Sequence, residues 1–178
     1  TLKPTMVLIT NLDLEHLDCY QNLDDLLSTF SNFANKIPFY GVIALGIDSN
    51  NIQSIINKIN KPFVTFGFNK KANVRAESPK YSKFITNFKL FSDNNYLGEI
   101  ELNIPGHHNI LNALGAITIC LELKIPFDVI YNGLKNYNGV RRRFEIKHII
   151  NDIMIIDDYA HHPVEVESTL DAAKNGWN

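Results

Sequence analysis

The residues best equipped for chemistry crowd into Asp157-Asp158-Tyr159-Ala160-His161-His162-Pro163, two carboxylates, a phenol and two imidazoles within seven positions. An apolar run at residues 153–156 stops abruptly at the acids and then at a proline. That order reads as a buried strand, a turn and a new helix. In open α/β sheets ligands bind at the carboxyl ends of strands, so these side chains stand where a site is expected. The same residues also fit an acid that caps a helix, followed by solvated histidines.

Three further segments carry candidate groups. In Pro105-Gly106-His107-His108-Asn109-Ile110-Leu111-Asn112 the carboxamide of Asn109 can both donate and accept, which suits the edge of an adenine ring, and His108 offers a flat face or a donor. Simple capping of the helix that follows explains the asparagine equally well. Arg141-Arg142-Arg143, after Gly139, provides guanidinium forks that match phosphate geometry, or a surface salt-bridge cluster. The loop Asn11-Leu12-Asp13-Leu14-Glu15-His16-Leu17-Asp18 sets an imidazole among three carboxylates. Mg²⁺ prefers oxygen ligands, so His16 is an unusual ligand, and a solvated acidic helix start is the competing reading.

The elements that must position these groups alternate. Residues 6–10, 42–47 and 63–66 are short apolar strands, and residues 23–33 and 52–59 between them have helical periodicity, which predicts βαβ units and a parallel sheet. Residues 74–104 change to an alternating pattern interrupted at Asp93-Asn94-Asn95, an antiparallel hairpin or meander. Helices follow over 108–123 and 127–134, with Pro126 at the first turn of the second. Strands at 144–150 and 153–156 joined at Asn151-Asp152, then a helix over 163–174, complete the chain.

Composition narrows the class. The 178 residues are 45% hydrophobic and 20% charged, as in globular proteins, and a net charge of −2 gives no global reason to expect nucleic acid as a partner. No apolar stretch approaches the roughly 18 residues of a membrane-spanning helix. Two widely separated cysteines, Cys19 and Cys120, predict a reduced, cytoplasmic setting with packed thiols. The chain lacks an initiator Met and stops at Asn175-Gly176-Trp177-Asn178, where Gly176 reads as a helix cap and a strand is due; a piece of a longer protein is expected.

In this order, the segments resemble the Mur ligase family, the ATP-dependent amide-forming enzymes of peptidoglycan synthesis. The matching pieces are Asn-x-(acid)-x-x-His-x-Asp at 11–18, Ile37-Pro38-Phe39-Tyr40-Gly41, Pro-Gly-x-His-Asn-x-x-Asn at 105–112, Arg-Arg-Phe at 142–144, and Asp-Asp-Tyr-Ala-His-His-Pro at 157–163. The Pro-Phe-Tyr-Gly segment and Tyr159 favour the branch that adds L-alanine to UDP-N-acetylmuramate over the one that recycles murein tripeptide.

The resemblance implies an α/β fold: a mostly parallel sheet flanked by helices with an antiparallel hairpin region, of the P-loop ATPase type, plus the start of a Rossmann-like domain. Residues 1–143 would be the later part of the central ATP-binding domain and 144–178 the start of the C-terminal amino-acid-binding domain. His16 would bind Mg²⁺, while His108, Asn109 and Asn112 would surround the adenine and ribose of ATP. Arg143 would meet the phosphates, Asp158 the nucleotide, and Tyr159 and His161 the incoming L-alanine. Neither nucleic acid nor a membrane is implied as a partner. Glu15 stands where the family usually has Asp, and Asp13 where Glu is common; both keep the charge. No GxxxxGK[ST] loop occurs in these residues, so the phosphate-binding loop is expected before Thr1 and the fragment by itself is expected to be silent. A murein tripeptide ligase, or a nucleotide-binding module without catalysis, is the alternative.

Overall fold

The structure, a computed structural model, describes residues 3–13 and 20–177. Its frame is a six-stranded sheet in sequence order: β1 (Met6–Ile9), β2 (Val42–Gly46), β3 (Phe63–Gly67), β4 (Val74–Ser82), β5 (Ile85–Ser92) and β6 (Asn95–Leu102). The pairs from β1 to β4 are parallel and those from β4 to β6 antiparallel. Parallel strands need both faces covered, and the residues of β2 divide accordingly. Ile43 and Leu45 join a core with Leu26, Leu27, Ile52 and Ile55, while Ala44 joins Phe66, Phe88, Leu90, Ile110 and Leu114 on the other side.

Helices α1 (Leu23–Ala34) and α2 (Asn50–Ile55) supply the first of these cores. Asn22 caps α1 by accepting the Asp25 N–H (2.9 Å), and Ser49 caps α2. The second core lies under α3 (His107–Glu122) and α4 (Phe127–Lys135). Pro126 stands one position before α4 rather than within its first turn, because its extended ψ of 146 suits a cap. Along β5, Thr86, Phe88 and Leu90 point into this core, as the alternation predicts.

Among the described residues a second sheet contains only β7 (Glu145–Ile150) and β8 (Ile153–Asp157) and pairs with no strand of the first. Asn151 and Asp152 join them with φ of 48 and 66, the left-handed pair that a two-residue hairpin turn requires. The expected burial of residues 153–156 is not observed: Ile153 and Ile155 are 67% and 47% exposed, with Ile149 and Ile150 beside them. The last helix, α5 (Pro163–Gly176), rests on β4 and α3 instead, which leaves one face of the hairpin without a covering layer among the described residues.

The end of α5 is pinned to the β4–β5 turn. Lys83 N–H donates to the Gly176 carbonyl (2.8 Å), and a Cβ at Gly176 would lie 2.7 Å from the Lys83 carbonyl oxygen. Gly176 is thus the last helical residue, selected by close approach and not by a left-handed cap. Trp177 then stacks on Phe144 (centroids 5.7 Å) and meets Phe84 edge-on (4.7 Å). No described helix is long and apolar enough to cross a membrane.

Candidate functional site

The residues that open α3, the 137–146 segment and the start of α5 enclose a cleft of about 1110 Å³. It begins at Gly106, whose φ of 105 turns the chain sharply from β6 into α3; a Cβ there would sit 2.7 Å from His108 Cε1. His108 is therefore seated against bare backbone and half-buried. Burial lowers the pKa of its imidazole below the ordinary 6.5, opposed by the Asp158 carboxylate and reinforced by His107 and Arg143. The preceding His107 faces elsewhere. It stacks on Phe68 (4.1 Å, interplanar angle 14°) and shares a 3.0 Å hydrogen bond between Nδ1 and the Tyr81 hydroxyl.

Asn109 does not cap the helix. As its third residue it donates Nδ2–H to the Pro105 carbonyl (2.7 Å), and its side-chain oxygen has no protein donor among the described residues. Asn112, four residues after His108, lies on the same helix face and lines the same cleft. Asn11 and Asp13, at the end of β1, reach it too.

The three consecutive arginines take different directions. Arg142, at φ 60, lays its guanidinium 4.5 Å over the Tyr159 ring and accepts the Tyr159 N–H at its carbonyl (2.7 Å). Arg141 and Arg143 line the cleft. Arg143 lies 3.4 Å from Glu165 Oε1 and 3.9 Å from Asp158 Oδ1. Asp158 already accepts two backbone N–H groups, from Phe144 and Ala160, each at 2.8 Å. It therefore fastens the entry to β7 against the turn after β8 as well as facing the cleft.

Of the predicted residues, His108, Asn109, Asn112, Arg143 and Asp158 meet in this one cleft. Tyr159 and His161 do not line it. Their rings stand edge to face at 5.2 Å on the outer side of the 157–162 turn, and the His161 side chain is 71% exposed. His161 borders a shallower groove of about 500 Å³ along α5. His16 lies outside the described residues, and among those described no group of three or more His, Cys, Asp or Glu could hold a metal. One contributor was not legible in the sequence. Glu165 meets Arg143 across 22 positions, a separation over which no local spacing pairs two side chains.

Chemically, the cleft offers an always-charged guanidinium, carboxamides, a neutral imidazole and apolar walls from Ala113, Ala116 and Leu134, a set suited to a phosphorylated heterocycle. The family of the Mur ligase middle domain matches residues 1–120, and that of the Mur ligase glutamate ligase domain matches residues 142–178, so this chain belongs to the Mur ligase family.

Within that family, it is 45% identical over 177 residues to the UDP-N-acetylmuramate–L-alanine ligase of Geotalea uraniireducens, a match that covers 99% of this chain and 39% of the relative. The crystal structure of the UDP-N-acetylmuramate–alanine ligase of Thermotoga maritima superposes with a TM-score of 0.82 at 29% identity, over 97% of this chain and 39% of that one. MurF of Acinetobacter baumannii shares the fold at 20% identity, with a TM-score of 0.86 over 97% of this chain and 38% of that one. The chain spans about 39% of the length of the curated relatives it matches.

Proposed function

We propose that the full-length protein joins L-alanine to UDP-N-acetylmuramate at the expense of ATP, in peptidoglycan precursor synthesis in the bacterial cytoplasm. The observation that carries this reading is the convergence of the 105–112, 141–144 and 157–163 motifs on one cleft, in a chain 45% identical to a ligase of that name. In the proposed reaction the γ-phosphoryl group of ATP passes to the muramoyl carboxylate, giving an acyl phosphate and ADP. The alanine amine then attacks the acyl carbon, and phosphate leaves as the amide forms. Such transfers depend on positioning and on fixed charge.

His108, Asn109 and Asn112 are assigned to the adenine and ribose. The unsatisfied Asn109 carboxamide oxygen is free to accept from an exocyclic amine, and burial keeps His108 neutral beside the ring. Arg143 would face the phosphates, and Asp158 would hold the loop that carries it while contacting the nucleotide. Tyr159 and His161, on the outer side of the turn, are assigned to the amino acid. Mg²⁺, when bound, would neutralise charge on the phosphates; the assignment of His16 as its ligand rests on the resemblance alone. The division at 143/144 is supported by the absence, among the described residues, of strand pairing between the two sheets.

Phosphate release by the full-length protein with ATP and UDP-N-acetylmuramate tests the reading, with L-alanine compared against murein tripeptide. Turnover that depends on alanine is expected. Turnover with tripeptide alone would replace the substrate, and nucleotide binding without turnover would leave a binding module.

A further inference from the structure

Glu165 is the third residue of α5, and its two carboxylate oxygens serve different neighbours. Oε2 accepts the backbone N–H of His161 (3.1 Å) and of His162 (3.4 Å) and lies 3.4 Å from the His161 imidazole Nδ1. Oε1 lies 3.4 Å from both Nη1 and Nη2 of Arg143. A helix cap needs only the first set of contacts. The second reaches back across the chain to the arginine of the cleft, and Glu165 is its nearer acid, since Asp158 stands 3.9 Å away with both oxygens held by backbone N–H groups. The His161 N–H first, then that of His162 and the Arg143 charge, hold the Glu165 carboxyl below the usual carboxylate range, so it is ionised at neutral pH.

We propose that Glu165 is a positioning residue that links Arg143 of the cleft to His161 on the outer face of the turn, so that occupancy of one half-site is felt at the other. This rests on the assignment of Arg143 to phosphate and His161 to the amino acid given above. A phosphate entering the cleft competes with Glu165 Oε1 for the Arg143 guanidinium. The carboxylate, still anchored by the N–H groups at the start of α5, then turns its charge towards His161. Coupling of this kind needs a group with two partners and one charge, and Glu165 meets that description.

The test is steady-state kinetics of the full-length enzyme, with the amino acid chosen from a panel by the wild type. Glu165→Gln keeps an oxygen for the backbone N–H groups of α5 but loses the charge; Glu165→Asp keeps the charge but shortens the reach. Each is expected to raise KM for ATP and KM for the amino acid together, by about threefold to tenfold for Gln, the range of a partly exposed charge-assisted contact. His161→Ala added to Glu165→Gln should raise the amino-acid KM by less than the product of the single effects. The proposal is overturned if one KM alone changes, if the melting temperature falls with both KM values unchanged, or if the double variant is multiplicative. Joint loss with an amino acid other than alanine would remove alanine from the functional assignment and leave the link standing. An enzyme that ligates no amino acid would remove both.

Discussion

At the scale of single residues, the cleft is organised by groups held in one state. Burial lowers the His108 pKa, so the imidazole stays neutral to lower pH in the folded protein than in the unfolded chain. The unfolded chain therefore binds the extra proton first. The stability contributed by neutral His108 is complete above the ordinary value of 6.5 and declines as pH falls through the folded value. His107, also lowered mainly by burial, acts in the same direction. Denaturant midpoints of the full-length protein should fall, as the pH drops below about 6.5, by a smaller amount in His108→Gln than in the wild type. Equal slopes would show that His108 is not held neutral.

Gly106→Ala should act on the same side chain. The new Cβ collides with the imidazole at a φ of 105, so KM for ATP should rise about tenfold while KM for the amino acid changes little. Asp158→Ala removes the acceptor of two backbone N–H groups and should cost about 1–3 kcal/mol of stability, seen by chemical denaturation. Much of this residue-level logic was legible in the sequence, because chemically distinctive residues occur in short runs. The partnerships were not. That Asn109 donates to Pro105 depends on the turn at Gly106, and that Arg142 turns to Tyr159 and Arg143 to Glu165 depends on positive φ at 142 and 144, which neither residue type dictates.

Elements were read from periodicity more securely than side-chain partners. The spacing of Leu23, Leu26, Leu27 and Phe30 gives α1 directly, and the alternation in β5 gives its buried face. The run at 153–156 misled as to burial, because four consecutive apolar residues look alike in a sandwiched strand and in an open hairpin. The docking of α5 was also invisible, since it depends on a glycine accommodating a carbonyl more than 90 positions earlier in the chain (residues 176 and 83). Gly176→Ala should force that contact apart, and Trp177→Ala should lose two aromatic contacts at a cost of about 1–3 kcal/mol. Both variants should loosen the cleft at its Phe84–Phe144 end and raise KM for ATP. A Trp177 variant with unchanged stability would mean that α5 is held by β4 and α3 alone.

At the scale of the whole molecule, the cleft is made by two sheets that, among the described residues, share no hydrogen-bonded strand. Neither sheet with its helices completes it: α3 contributes His108 and Asn112, and the segment after residue 140 contributes Arg143 and Asp158. A ligand bound there stabilises the arrangement of the two parts as well as each part. Nucleotide at about a hundredfold excess over its Kd should stabilise the full-length protein by about 2.7 kcal/mol. Arg143→Ala should remove most of that gain at the same nucleotide concentration, and protection undiminished by the substitution would take Arg143 out of the phosphate site.

Trp177 is the only tryptophan in these 178 residues, and it lies between a ring from each side of the join, Phe84 and Phe144. Indole emission depends on the polarity and stacking of its surroundings, so this contact is also an optical gauge of how far apart the two sides stand. The molecule carries, at the Phe84–Phe144 end of its own cleft, a light signal that reports the spacing of the two sides and needs no attached dye.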